Sequence, residues 1–294
     1  MLQLNSINRS FGNRRVLRDV SFTVGRGRMT GFVGGNGAGK TTTMRVILGV
    51  LSPSSGTVTL DGRELTAERR TRFGYMPEER GLYPKMRVLE QIVYLGRLHG
   101  MSQEQAQESA NILLDRLGLG ERKNDTVESL SLGNQQRAQI AAALVHDPEV
   151  LVLDEPFSGL DPLAVETVMS VLKDRTVRGV PVLFSSHQLD IVERLCDDLV
   201  VIADGEIRAS GSREGLRAAH SMDRYELQLD GDVGWLRAEP GVTVLEFDGG
   251  FALFEVDGEP TAQRVLQRAI RSAPVQKFAP QQPSLSQIFQ EVIR

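Results

Sequence analysis

The stretch that most constrains this chain is Gly34 to Thr42, which reads Gly-Gly-Asn-Gly-Ala-Gly-Lys-Thr-Thr. It satisfies the phosphate-loop pattern GxxxxGK[ST], with Gly34, Gly39, Lys40 and Thr41 at the fixed positions. Residues 28–33 before it form a short apolar run with strand character. Residues 42–50 after it carry helical spacing, so the loop is expected to run from a strand into a helix N-terminus. The motif needs that context. Glycines let the backbone N–H groups of Gly34, Gly35, Asn36, Gly37, Ala38 and Gly39 turn inward around a polyphosphate, and the helix end adds partial positive charge. Lys40 supplies a full charge, while Thr41 and Thr42 offer hydroxyls, the first of them to a magnesium ion.

A length of 294 residues suggests about two domains. With 40% hydrophobic and 24% charged residues the composition is that of a folded α/β protein. The net charge of −4, with no long basic run, leaves no electrostatic footprint for nucleic acid. Cys196 is the only cysteine, so no intramolecular disulfide can form, and a reducing cytosol fits. The N-terminus has no apolar signal region, and no segment approaches the roughly 18 to 20 apolar residues needed to cross a bilayer. Contact with a membrane is therefore expected only through another chain.

Along the chain, Leu2 and Leu4, then Val20, Phe22 and Val24, alternate with polar residues as two antiparallel strands, a flap ahead of the phosphate loop. Phe11 and Val16 are placed in and after the turn between them, where the aromatic face can stack on a purine base or simply pack the flap. A strand over 57–60, a hairpin turn at Asp61-Gly62 and a strand ending at Met76 follow. Helical spacing then covers 88–98, 102–117 and 134–145, with Ser102 and Gln105 as a capping box and Gly118 as a C-cap. Strand and helix then alternate over 150–154, 162–177, 180–185 and 199–202, which implies a mostly parallel sheet. Beyond Gly211, strands at 225–229, 242–247, 251–256 and 275–278 and helices at 261–270 and 285–293 predict a second domain. With a helical turn near 232–237 its order is βαββαβ, a split βαβ unit.

The apolar run Val150 to Leu153 ends in Asp154 and Glu155, two acids at the carboxyl end of a buried strand, where open α/β sheets place ligands. Phosphoryl transfer to water needs a metal on the β- and γ-oxygens and a group that orients or deprotonates the water. Asp154 suits the first task and Glu155 the second. A second apolar strand ends in Ser-Ser-His, which brings His187 to the same sheet edge, able to donate to a γ-phosphate or hold the water. His99, His146 and His220 have no such context and read as ordinary surface or satisfied residues.

Taken together these residues resemble the ATP-binding subunit of an ATP-binding-cassette (ABC) transporter. Walker A matches at 34–42 and Walker B at 150–155. Leu130 to Arg137 (LSLGNQQR) is similar to the signature LSGGQ, Ser158 to Pro162 to the D-loop, and His187 to the switch histidine. The resemblance implies an α/β cassette of the P-loop NTPase class over 1–218. It would have a parallel core sheet, an antiparallel N-terminal flap and a helical subdomain at about 84–146, followed by an α+β accessory domain at 222–294. It implies ATP and Mg2+ as cofactors, with Phe11 and Val16 at the base, Ser131, Gly133 and Asn134 closing on nucleotide held by a second cassette, and Thr41, Asp154 and Glu78 at the metal. Ser131 and Gly133 are expected to open the helix 134–145 as a second anion-binding helix end. The implied partners are a second copy or a homologous cassette and a separate transmembrane permease, with the chain peripheral at the inner face of the cell membrane. Segment 75–83 and the tail 284–292 are similar to the multidrug and sodium exporter branch.

Two motifs depart from the family pattern. Leu132 and Asn134 stand where the signature has its first Gly and its Gln, and Glu78 stands where most members have a metal-touching glutamine. A cassette acting on nucleic acid or ribosomes is the alternative. It is disfavoured by the lack of a long coiled-coil insert or a second cassette and by the acidic balance. A purely structural nucleotide site would need neither Glu155 nor His187, and a GTPase reading lacks a guanine-reading NKxD element.

Overall fold

The computed structural model describes all residues except 80, 220–222, 282–283 and 294. The chain divides into two compact units, Met1–Arg213 and Glu214–Val292.

The first unit contains two sheets. β1 (Leu2–Phe11), β2 (Arg14–Val24), β4 (Ser55–Leu60) and β5 (Arg63–Glu64) form an antiparallel sheet in the order β2-β1-β4-β5. Leu2, Leu4 and Ile7 of β1 and Leu17, Val20, Phe22 and Val24 of β2 are buried, an alternation broken where the register shifts, so one face of the flap lies on the core. The other sheet consists of β3 (Met29–Val33), β6 (Phe73–Met76), β7 (Val150–Leu153), β8 (Val182–Ser186), β9 (Asp198–Ala203) and β10 (Glu206–Ser212), in the order β10-β9-β3-β8-β7-β6. Every pair in it is parallel except β10 with β9. Every residue of β3, β7 and β8 is buried, as expected of strands covered on both faces.

Helix α1 (Lys40–Ile47) shares one core with both sheets: its Met44, Val46 and Ile47 join Leu4, Val20 and Phe22 of the flap and Phe32, Val152 and Ile202 of the parallel sheet. The Phe22 and Phe32 rings lie 5.3 Å apart. At the flap's far end Asp61, in the hairpin turn between β4 and β5, takes the chain's amino group and Arg26, each at 2.6 Å. Those cations hold its carboxyl well below the usual carboxylate range.

The helical insert is built from α3 (Val88–Leu98), α4 (Gln103–Arg116) and α5 (Leu132–Leu144), preceded by the short α2 (Ala67–Arg70). The Ser102–Gln105 capping box forms at the start of α4. α5 is buried along most of its length, with Ala138, Ile140, Ala141 and Leu144 in the core. α6 (Pro162–Val177) and α7 (Leu189–Leu195) complete the alternation. β10, α2 and α7 carry too short or too polar a pattern to be read from sequence, and Phe11 proves to be the last residue of β1 rather than part of the turn.

His99 and His146, expected to be ordinary surface or satisfied residues, each have a hydrogen-bond partner and lie against each other. Their rings stack with centroids 3.6 Å apart, His99 Nδ1 lies 2.8 Å from the Thr71 carbonyl oxygen, and His146 Nε2 lies 3.2 Å from that of Phe73. The pair docks the C-terminal ends of α3 and α5 onto the strand β6. His220 lies outside the described residues.

In the second unit, α8 (Arg213–Ala219) leads into β11 (Arg224–Leu229), β12 (Val242–Asp248), β13 (Phe251–Val256) and β14 (Val275–Pro280). These form an antiparallel sheet ordered β12-β13-β11-β14. α9 (Glu259–Ser272) buries Ala262, Val265 and Ala269 against Leu227, Leu229 and Phe254, and α10 (Leu285–Ile293) closes the chain. The first crossover of the split βαβ order is a 3-10 turn, Gly234–Ala238. Its Trp235 lies under the Arg268 guanidinium, 4.7 Å from the ring centroid.

Burial pushes the His146 imidazole down to about 4, with the neighbouring His99 adding to the effect. The unfolded chain binds that proton near pH 6.5. The neutral ring's stability is thus complete above pH 6.5 and is lost as pH falls from there to about 4. We expect urea unfolding of wild type to lose about 2 kcal/mol more between pH 7 and 4.5 than that of His146→Gln. Parallel pH profiles would refute it.

Candidate functional site

The parallel strands set the geometry of the site. Val33 pairs with Ser186 and Leu153 with Phe184, so β3, β7 and β8 end close to level. Gly34, Asp154 and His187 follow directly, at one sheet edge. A Cβ at Gly34 would come within 2.4 Å of the Ile202 carbonyl oxygen, so the loop can pass β9 there only as glycine. Gly39 has φ +113 and, as the N-cap of α1, leaves that helix end without a side-chain cap. The backbone donors at the end of α1 are thereby open to an anion.

Lys40 is buried and reaches back across the loop, donating to the carbonyl oxygens of Gly34 at 2.8 Å and Gly35 at 3.2 Å. Ala38 N donates to Gly35 O at 3.2 Å and closes the turn. A cleft of about 650 Å³ opens over the loop. Phe11 and Val16 line it from the flap, and Asn36, Gly37, Gly39, Lys40, Thr41 and Thr42 from the loop. Glu78, Asp154, Glu155 and His187 line it from the sheet edge. Gly34, Gly35 and Ala38 belong to the loop but are not among the residues that line the cleft.

The two acids are sorted by one serine. Ser185 Oγ donates to Asp154 Oδ1 and accepts from the Glu155 amide at 2.8 Å, while Thr41 Oγ1 donates to Asp154 Oδ2 at 3.0 Å. Asp154 is buried with both oxygens engaged. Glu155 has φ 52, a left-handed conformation that costs a non-glycine residue about 1 kcal/mol or more. It is held there on both sides: Ser185 takes its amide, and Gln136 Nε2 of α5 donates to its carbonyl oxygen at 2.9 Å. Its carboxylate turns to His187, with Oε2 3.0 Å from Nδ1. A carboxylate only accepts, so the Nδ1 atom carries the proton in that contact.

α5 holds the other acid as well. Gln139 Nε2 donates to the carbonyl oxygens of Pro77 at 2.9 Å and Glu79 at 3.1 Å, which flank Glu78. Gln136, Gln139, Ser185 and Arg14, another residue on the cleft wall, were missed by the sequence reading. Gln136 lies inside the LSLGNQQR stretch and Ser185 in the Ser-Ser-His run, so both had a signal in position though none in residue type.

The structure does not bring Ser131, Gly133 and Asn134 into this cleft. They sit at the N-terminus of α5, which begins at Leu132 and not at Asn134 as the spacing suggested. The reason is that Ser131 is the N-cap, accepting from Asn134 N at 3.4 Å, so Leu132 and Gly133 are already in the first turn. Leu132 is 57% exposed. Asn134 is tied to Arg137 through its side-chain oxygen. Cys196 is buried, and burial pushes its thiol up to about 12.

For a metal the cleft offers hard oxygen donors, the Thr41 hydroxyl and the Asp154 carboxylate already 3.0 Å apart, which suits Mg2+ held partly by water and phosphate. Among the described residues no cluster of three or more His, Cys, Asp or Glu could cage a metal by itself. No helix among them is long and apolar enough to cross a membrane.

The family of ABC transporters matches residues 17–158, and the C-terminal domain of DrrA1-3-like ATP-binding proteins matches 211–293. The uncharacterized ABC transporter ATP-binding protein YhaQ of Bacillus subtilis (strain 168) is 35% identical over 293 residues, covering 100% of this chain and 98% of its own. The Nod factor export ATP-binding protein I of Paraburkholderia xenovorans (strain LB400) is 35% identical over 275 residues, 91% of this chain and 90% of its own. A solved ATP-binding subunit of an ABC transporter superposes with a TM-score of 0.69 at 31% identity, covering 74% of this chain and 92% of that one. A phosphate-loop cleft at the head of a mostly parallel sheet, with a relative 35% identical along the full chain, places this protein in the ABC transporter family, as a subunit that binds and hydrolyses ATP to drive a transporter.

Proposed function

We propose that this chain is the motor of an exporter, in which two cassettes, two copies of this chain or one copy and a homologue, close on two nucleotides and move a separate membrane permease. ATP-binding subunits of the family work as dimers with a separate membrane component. The observation that carries the residue roles is the Glu155–His187 contact, held over a carboxylate that Ser185 and Thr41 already occupy.

In this reading Lys40 and the open donors of α1 bind the β- and γ-phosphates, and Phe11 and Val16 hold the base. Thr41 and Asp154, with Glu78 nearby, would hold Mg2+, which when bound neutralises charge on the phosphate oxygens. Glu155 accepts a proton from the attacking water as its oxygen bonds to the γ-phosphorus and the bond to the ADP oxygen breaks. His187 keeps Glu155 aimed through Nδ1–H, leaving Nε2 to face the water or the phosphate. Ser131, Gly133 and Asn134 serve the nucleotide of the opposite cassette, since they lie outside the cleft of their own chain. Export rests on the likeness to the relative named for Nod factor export, and on it rests the placement of the chain at the inner face of the membrane.

Three outcomes are expected. Glu155→Gln keeps Mg-ATP binding, lowers kcat by about 100-fold or more, and accumulates a nucleotide-bound dimer in size-exclusion chromatography; undiminished hydrolysis removes Glu155 from its role. Gln136→Met frees the Glu155 carbonyl and is expected to lower kcat about tenfold with nucleotide affinity within about twofold. Equal losses in both would make Gln136 a structural residue only. Affinity purification from detergent-solubilised membrane is expected to bring down a polytopic membrane protein, and recovery of ribosomes or nucleic acid in its place would overturn the transport assignment.

A further inference from the structure

The β1–β2 hairpin carries a cation that the reading above leaves without a task. Phe11 and Arg14 are direct partners across the turn, and such partners project from the same face with Cβ atoms about 5 Å apart. Both line the nucleotide cleft. The neighbouring arginines are engaged elsewhere. Arg9 donates to the Ser52 carbonyl oxygen at 2.8 Å and backs the Phe11 ring at 4.9 Å from its centroid. Arg15 donates to Asn8 Oδ1, and Arg18 pairs with Glu206. Arg14 is exposed, and among the described residues its guanidinium has no hydrogen-bond or ion-pair partner.

The cleft's charge shows why such a group matters. Its lining holds three carboxylates, Glu78, Asp154 and Glu155, against two permanent cations, Lys40 and Arg14. Lys40 sits at the phosphate loop, where it is already shared with two carbonyl oxygens. Without Arg14 a polyanion would enter past three carboxylates toward a single cation. A base lying on Phe11, with its terminal phosphates at Lys40, puts the ribose and the α-phosphate in between, within reach of an arginine rooted opposite the ring.

We propose that Arg14 binds the α-phosphate of the nucleotide and so supplies affinity common to di- and triphosphates, whatever the base. A guanidinium fork is suited to phosphate oxygens, and binding made equally in ground and transition states lowers KM without raising kcat. The assignment rests on Phe11 being the base platform of the proposed site. A guanidinium beside that platform has one other target, the O6 and N7 edge of guanine, and the test separates the two.

The test measures ATP, ADP and GTP affinity by calorimetry, with steady-state ATPase kinetics, on the full chain as wild type, Arg14→Ala and Arg14→Lys. Arg14→Ala is expected to weaken all three nucleotides alike, by about tenfold, and to raise KM with kcat within about twofold. Arg14→Lys is expected to recover most of the loss, and wild-type affinity to fall more steeply with salt than that of Arg14→Ala. Unchanged affinity in Arg14→Ala overturns the proposal. A loss confined to GTP overturns it in favour of base-edge reading, and a loss for ATP but not ADP overturns it in favour of a γ-phosphate contact. Wild-type protein that holds none of the three would overturn the nucleotide reading of the cleft itself, and normal binding by Phe11→Ala would overturn the platform.

Discussion

Three parallel strands that end close to level are the constraint on which this molecule depends. Because β8 pairs in register with both β3 and β7, the phosphate loop, the two acids and the histidine all leave the sheet at the same height. Hydrogen bonds along these buried strands allow no slip, since a shift of one residue would turn every side chain to the other face. The Ser185 hydroxyl then converts level strands into chemistry. It joins the Asp154 side chain to the Glu155 backbone, so a buried carboxylate with both oxygens engaged sits next to one that meets His187.

α5 is the second organiser. Its N-terminus carries Ser131 and Gly133 away from the cleft, while Gln136 and Gln139, about one and two turns further on, hold the carbonyl of Glu155 and the loop around Glu78. One helix thus has its end exposed and its body bonded to the backbone that carries two of the site's three acids. Three hydrogen bonds join that helix to the backbone at Glu155 and on either side of Glu78. The stacked His99–His146 pair ties the same helix to β6 at its other end.

The legible and illegible parts of the sequence divide along a physical line. The phosphate loop, the acid pair, the capping box at Ser102 and the strands of the second unit are set by neighbours within a few residues, and each was readable. The first turn of α5 is not visible in the apolar spacing because Gly133 is a poor helix former and Leu132 is exposed; Ser131 caps the helix and puts them there. Gln136 and Ser185 gave no signal of residue type, since glutamine and serine are common on any surface. Arg14 is one of 34 lysines and arginines, and nothing local marks it as the one facing the cleft.

The sequence alone determined that a glycine-rich loop with a lysine would run from a strand into a helix, and that two acids and a histidine would end two further strands. Periodicity and glycine chemistry are local, so a linear reading captures them. Tertiary structure alone decided which acid is tied to Thr41 and Ser185 and which to His187, which cation lines the cleft beside the aromatic ring, and that the signature end lies outside it. Those outcomes depend on pairing register and on contacts between residues 19 to 113 positions apart, such as Gln136 with Glu155 and Thr41 with Asp154. No local pattern encodes a distance of that kind; only the packed sheet brings such groups within hydrogen-bond reach.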